Sequence, residues 1–394
     1  MNLTWEYKPL GKICDVIAGQ SPEGRYYNKD GEGLPFYQGK KEFGDKYIGE
    51  PATWTTKVTK EAVAGDILMS VRAPVGPINF ANEKICIGRG LAAIRTRDGL
   101  DRDFLYYGLL SKQSEISGKD GAVFASINRS EISAIEFPIP PLDEQQRIVA
   151  ILDEAFAGIT TATANAEKNL QNARELFEST LQSVFAEKGE GWVDSPLREL
   201  CSIKHGFAFK SQFFTSEGDY VLLTPGNFYE EGGYRYRGEK QKYYVGEIPD
   251  EYILKEGDFL IAMTEQAAGL LGSSIIVPES KRFLHNQRLG LVEIKPGVEW
   301  NNEFFFYQFK TREFRQAVHD SASGAKVRHT SPRKLGDIVV SFPKSTKAQK
   351  LIADRLDELH GETQRLDSIY RQKLNELAEL KQSILQKAFA GELH

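Results

Sequence analysis

The 394-residue sequence is short of cysteine and of long apolar runs, and each shortage excludes a class of protein. Three cysteines, Cys14, Cys86 and Cys201, cannot build a disulfide framework, and none lies in a CxxC pair or beside a histidine cluster that could hold zinc. They read as buried thiols. No apolar run approaches the roughly 18–20 residues that span a bilayer, and the N-terminal MNLTWEYKPL lacks the basic-then-apolar order of a signal peptide. A cytoplasmic protein with no membrane partner is expected. Catalytic signatures are also missing. The one Pro-Pro pair, Pro140-Pro141, has neither the amide nor the aromatic with which an amino-methyltransferase loop holds a flipped base. Gly19 to Gly24 has phosphate-loop spacing but continues into Arg25-Tyr26 rather than Lys-Ser or Lys-Thr. No GxGxxG follows a strand, and the six histidines form no HExxH or triad-like setting.

What is present is an ordinary globular composition, 41% hydrophobic and 27% charged, with a net charge of -5. That acidity does not announce a nucleic-acid binder. Its excess is local, however: residues 143–195 carry ten acids against four bases, whereas 1–142 and 196–343 each balance to zero.

The sequence repeats itself once. PLGKICDVIAG (9–19) faces PLRELCSIKHG (196–206), so that Pro9, Leu10, Cys14 and Gly19 meet Pro196, Leu197, Cys201 and Gly206. AGDILMSV (64–71) faces EGDFLIAM (256–263), DFLYYGLLSK (103–112) faces EFFFYQFKTR (303–312), and EQQRIVAILDE (144–154) faces KAQKLIADRLDE (347–358). Within each copy, DILMSV, INFA and LAAIRT, then DFLIAM, SSIIV and GLVEI, read as strands, and the aromatic runs from Phe104 and Phe304 read as packing helices. The fold class is therefore α+β. One nuclease-like pattern, Pro249-Asp250 with Glu293-Ile294-Lys295, imitates a metal site. The strand position matching Glu293 in the first copy, around Ala93, has no acid.

Each copy ends in a Pro signal, FPIPPLDE or SFPKSTKA, followed by a long helical pattern for which Asp143 and Ser345 or Thr346 are plausible caps. In the second copy Ile352, Leu356, Leu359, Thr363, Leu366, Tyr370, Lys373, Leu377, Leu380 and Ile384 step by 4 and 3, as a coiled-coil seam does. The corresponding line in the first copy is small: Ile148, Leu152, Ala155, Ile159, Ala162, Ala166, Asn169, Ala173, Leu176 and Thr180. Large residues facing small ones suit an intramolecular pair, and chain order makes it antiparallel. The expected architecture is thus two similar α+β domains separated by a pair of long antiparallel coiled-coil helices, with an internal pseudo-two-fold repeat: 1–142, a spacer helix 143–190, 191–343, and a second spacer helix 344–394.

PLGKICDVIAG and its repeat, AGDILMSVRAPVG (64–76), HNQRLGLVEIK (285–295) and above all FPIPPLDEQQRIVAILDE (137–154) leading into a long helix resemble the specificity subunit of Type I restriction-modification systems, over essentially the whole chain. The resemblance implies two target-recognition domains, each reading one half of a bipartite double-stranded DNA site. It implies helices that serve as spacer and docking surface for two methyltransferase subunits, with motor-nuclease subunits joining that core. The chain itself would be non-catalytic and hold no cofactor; S-adenosylmethionine, ATP and Mg are expected in the partner subunits. Gln145 and Arg147, with Gln349 and Lys350 opposite them in the repeat, are the candidate partner contacts. Copy two has Lys344-Ser345-Thr346 where copy one has Pro140-Pro141-Leu142, so the two docking surfaces need not be equivalent.

Reading bases requires Arg, Lys, Asn and Gln at groove edges, in polar loops that differ between the copies. The first copy offers Arg25, Tyr26, Tyr27, Lys29, Gln38, Lys40, Lys41, Lys46, Arg72, Arg89, Asn128 and Arg129. The second offers Lys210, Asn227, Arg235, Arg237, Lys240, Lys242, Gln266, Asn286, Gln287, Arg288, Lys326, Arg328 and His329. Within that set the Tyr234-Arg235-Tyr236-Arg237 run is the strongest, because strand alternation would put both arginines on one face. Two rival readings use the same features. A protein-only adaptor would bind two copies of a partner through its similar heads, and a metal nuclease would use Asp250, Glu293 and Lys295.

Overall fold

The computed structural model describes residues 5–117, 126–265, 269–324 and 327–393. The chain divides into two units, Met1–Lys168 with Tyr370–His394 and Asn169–Ile369.

In the first unit, strands Cys14–Ala18, Leu91–Thr96, Ile67–Ser70 and Ile78–Phe80 lie in that order in an antiparallel sheet. The central strand Ile67–Ser70 is buried along its length, and its period-2 alternation divides it between two cores. Ile67 and Met69 pack with Phe104 and Leu105 of the helix Arg102–Ser111, while Leu68 packs with Tyr37, Ile85 and Ile87 of a second sheet. That second sheet contains the parallel pair Leu34–Tyr37 and Ile85–Ile87. Strand Glu6–Pro9 pairs with Glu136–Ile139 and closes the domain.

The second unit repeats the plan. Cys201–His205, Leu289–Ile294, Phe259–Ala262 and Ser274–Ile276 keep the same sheet order. Phe259 and Ile261 pack with Phe304 and Phe305, and Leu260 and Ala262 with Val221 and Phe283. The closing pair is Trp192–Pro196 with Val339–Pro343.

The repeated sequence motifs prove to be structural. Asp66 and Asp258 of the two Gly-Asp turns each accept a hydrogen bond from the backbone N–H three residues earlier, both at 2.8 Å. Gly19 and Gly206 fill equivalent close approaches, where a Cβ would collide with the carbonyls of Gly88 and Asn286. All three cysteines are buried, and burial pushes the thiols of Cys14 and Cys201 up to about 12.

The long helices run over Leu142–Ala186 and Thr346–Phe389, and Gly158 does not interrupt the first. Asp143 lies in the first turn rather than at the cap. Thr346 opens the second helix, its N–H donating to Glu299 Oε2 at 2.7 Å.

Each unit contains an antiparallel pairing of helix segments. In the first, Arg147 donates to the Leu393 carbonyl at 2.8 Å while Lys381 sits 5.1 Å from the Phe156 ring. In the second, Arg174 pairs with Asp367 while the Phe177 ring lies tilted against His360 at 4.8 Å.

The seam read from strict heptads is off by one over part of its length. Asn169 and Leu176 are exposed, and Leu170 and Phe177 take the inward positions, because the buried line makes an extra four-residue step after Ala166. On the second helix Leu366, Lys373 and Leu380 are exposed, and Asp367, Leu374 and Lys381 turn inward. A straight helix has 3.6 residues per turn and drifts away from a 3.5-residue repeat, which accounts for the offset. Each domain also incorporates the end of a long helix: Phe389 packs on Phe104 at 4.9 Å in the first unit, and Phe185 on Phe304 at 5.2 Å in the second.

Candidate nucleic-acid interface

The structure sorts the candidate side chains into those held by the fold and those left facing solvent. In the first domain Tyr27 is held: it stacks on Phe36 at 4.7 Å and donates to the Pro22 carbonyl at 2.8 Å. Lys46 is also held, against expectation. Its ammonium reaches Asp103 at 3.0 Å and Asp153 at 3.4 Å and lies 5.0 Å from the Tyr107 ring. Burial opposes its charge, but the Asp103 hydrogen bond and the neighbouring acids outweigh it and raise the pKa. Asn128 is a capping-box residue, accepting from the N–H groups of Ser130 and Glu131 while Glu131 receives its own N–H.

Exposed in this domain are Lys29, Gln38, Lys40, Lys41, Arg72, Arg89 and Arg129. Two pairs among these regions are brought together by backbone contacts. The Gly90 N–H donates to the Gln38 carbonyl at 3.1 Å, which sets the turn carrying Arg89 beside Gln38. Arg72 bridges to Ser126. Arg25 pairs with Glu23 at 2.9 Å and lies 5.0 Å from the Tyr26 ring, where Lys57, missed in the sequence, also sits at 5.0 Å.

In the second domain the largest correction concerns Tyr234 to Arg237, which form no strand. Tyr234 makes one isolated bridge to Phe228 and packs on Phe283 at 5.2 Å, and a short 3-10 helix, Gly238–Lys240, follows. The two arginines part: Arg235 lies 5.9 Å from the Tyr229 ring, whereas Arg237 rests against Gly226.

Asn227 is buried rather than available, donating to Gln241 Oε1 at 3.0 Å and accepting from the Thr224 hydroxyl at 3.0 Å. Asn286 is buried too, and accepts from the Arg288 N–H at 3.1 Å. Arg328 donates to the His319 ring and, at 3.1 Å, to its carbonyl. His329 sits 3.4 Å from the Ser323 hydroxyl. Lys210, Lys240, Lys242, Gln287 and Arg288 are exposed. Gln266 and Lys326 lie outside the described residues.

Of the expected partner contacts, Gln145 and Gln349 are fully buried. Gln145 Oε1 accepts from the Asp101 N–H at 2.8 Å, and its amide donates to the Pro140 and Gly99 carbonyls at 2.9 and 3.1 Å. Gln349 repeats this with the Asn301 N–H at 2.8 Å and the Pro343 and Glu299 carbonyls at 2.9 and 3.2 Å. Both glutamines fasten a domain to a helix start, because their backbone partners are the caps and turns around the packing helices. Arg147 pairs with Glu144 at 2.7 Å and Lys350 with Asp354 at 2.9 Å. Two of the three residues of the nuclease-like pattern are held by the fold: Glu293 accepts from the Ser202 hydroxyl at 3.3 Å, and Lys295 donates to the Arg198 carbonyl.

Comparison with known proteins agrees with this duplicated plan. Residues 2–171 and 189–378 match the family described as Type I restriction modification DNA specificity domain. The chain belongs to that family and carries its domain twice. It is 46% identical over 182 residues to the MjaX type I restriction enzyme specificity subunit of Methanocaldococcus jannaschii, a match covering 45% of this chain and 42% of that protein. The EcoBI specificity subunit of Escherichia coli is 27% identical over 56% of this chain and 43% of its own length. These two matches therefore span less than half of each relative. The MjaVIII specificity subunit of M. jannaschii is 21% identical, over 99% of this chain and 93% of its own. The fold is shared with a chain from a type I restriction-modification system, at TM-score 0.78, 18% identity and 99% and 98% coverage. It is shared also with the HsdS subunit of Thermoanaerobacter tengcongensis, at TM-score 0.63, 18% identity and 100% and 98% coverage.

Proposed function

We propose that this chain recognises a bipartite double-stranded DNA sequence as the non-catalytic specificity subunit of a Type I restriction-modification complex, one domain reading each half. The observation that carries the reading is the pairing of a common scaffold with unlike surfaces. Sheet order, glutamine fastening and packing helices are the same in both units. The exposed Gln38, Arg72 and Arg89 of one domain differ in kind from the exposed Arg235 and Gln287 of the other. Common scaffolds with different loops suit two different half-sites.

The long helices also carry exposed apolar side chains, Leu142 and Leu380 in the first unit and Leu176, Leu351, Leu366 and Ile369 in the second. Apolar residues on exposed helix faces suit docking of a protein partner. We assign these faces to two methyltransferase subunits, to which the motor-nuclease subunits add. S-adenosylmethionine, ATP and Mg belong to those partners, and the assembly works in the cytoplasm. No helix among the described residues is long and apolar enough to cross a membrane.

The test is the methylation pattern of a strain expressing this chain with a Type I methyltransferase subunit. A motif of two specified blocks separated by a fixed run of unspecified bases is expected. An uninterrupted motif contradicts the reading. No new methylation, combined with salt-insensitive retention of protein partners only, favours the adaptor.

A further inference from the structure

The second domain contains a cleft of about 270 Å³ whose lining includes Thr224, Arg237, Lys242, Thr264 and Arg288. The volume is several times the ~30 Å³ that one water occupies in the liquid. Three cations reach it from three separate segments: Arg237 from the loop after Tyr236, Lys242 from the approach to strand Tyr243–Tyr244, and Arg288 from the turn before strand Leu289–Ile294. Among the described residues none of the three has an acid within ion-pair distance. The nearby Glu265 is buried and directed elsewhere, accepting from the N–H groups of Gly269 and Leu271 at 3.1 and 3.0 Å.

The fold holds this arrangement in place. Arg237 lies flat on Gly226, where a Cβ would meet its Nη1 at 2.8 Å and its Cζ at 3.0 Å. The segment bearing it is tied by the buried pair Asn227 and Gln241, with Gln241 Oε1 accepting from the Arg237 N–H at 3.3 Å and from Asn227 at 3.0 Å. Lys242 is steadied 5.4 Å from the Phe214 ring. Uncompensated cations converging on one recess repel one another, and an anion between them removes that cost.

We infer that this cleft seats a backbone phosphate of the DNA bound by the second domain, so that Arg237, Lys242 and Arg288 position the duplex rather than read it. The inference rests on the DNA-recognition reading above. Guanidinium and ammonium groups are donors only, and three of them around one volume match the oxygens and charge of a phosphodiester. A base edge would be met by a single projecting side chain, whereas Arg237 is half-buried against its own backbone.

The test uses the full chain and two duplexes, one carrying its selected sequence and one scrambled, each titrated over a salt series. Arg237→Gln, Lys242→Gln and Arg288→Gln are expected to weaken both duplexes by the same factor, and the triple variant, which removes one phosphate contact, to lower the slope of log affinity against log salt by about 0.9. Gly226→Ala keeps every charge but displaces Arg237, and is expected to weaken both duplexes with the thermal unfolding midpoint unchanged. This second variant keeps the test decisive even where the triple variant folds poorly. Unchanged slopes overturn the phosphate site. A loss confined to the selected duplex overturns it in favour of base reading. A wild-type chain that binds neither duplex at low salt overturns the DNA-recognition reading itself, an outcome distinct from the other two.

Discussion

Replacing Gln145 with alanine lowers the stability of its unit by about 2–3 kcal/mol, and Gln349→Ala does the same in the other. Each glutamine satisfies one half-buried N–H and two carbonyls, of which the one on Pro140 or Pro343 is buried, and a buried polar group left without a partner costs ~1–3 kcal/mol. The side chains are fully buried, so water does not replace them without opening the joint. Gln→Glu at either position is expected to be worse than alanine. The amide that donates to two carbonyls becomes an oxygen facing them, and a charge enters a buried place. Urea unfolding of the four single variants measures this. A loss under about 1 kcal/mol, or a glutamate variant milder than the alanine one, contradicts the role given to these residues.

The second large effect is a pH dependence centred on His285. Its ring is buried, and since a carbonyl can only accept, Nε2 carries the proton and donates to the Leu289 oxygen at 2.9 Å. Nδ1 is buried without a partner among the described residues. Burial pushes the imidazole down to about 4, the Leu289 contact opposes this, and Lys204 and His205 add to the fall. Between about 6.5 and 4 the unfolded chain therefore binds a proton that the folded chain refuses. Stability attributable to this group is complete above about 6.5 and is lost as pH falls through about 4, by roughly 3 kcal/mol at ~1.4 kcal/mol per unit. The position matching His285 in the first domain is Ile87, since Gln20 and Phe207 donate to these two carbonyls in the same way. His285→Ile is expected to flatten the acid limb of the second unit's stability. A wild-type and variant pair with parallel curves from pH 7 to 4 contradicts the assignment.

These residues also show where sequence reasoning reaches and where it stops. The repeat, the strands and the packing helices are legible because they rest on local periodicity: Ile67 to Met69 and Phe259 to Ala262 are apolar on both faces, as strands between two cores must be. The heptad seam is legible up to Ala166, beyond which a small drift per turn accumulates into a one-residue error. Polar residues are harder, because whether a side chain meets water or a backbone is decided far along the chain. Gln145 follows a proline-rich turn and reads as surface; its partner is the cap of a helix that begins at Arg102. Asn227 reads as a base-contacting amide, yet Gln241 and Thr224 hold it inside the domain. The alternation of Tyr234 to Arg237 suggests a strand, but among the described residues no neighbouring strand pairs with it, and the two arginines take separate tasks.

The central claim is a division of labour, in which a duplicated scaffold presents two unlike reading surfaces. Its most direct measurement is selection of duplexes from a random pool by the full chain and by a variant substituted only at exposed second-domain positions, Arg235→Ala with Gln287→Ala. Both proteins are expected to recover two blocks at the same separation, with one block unchanged and the other relaxed in the variant. Recovery in which both blocks change together, or in which neither does, would contradict the account.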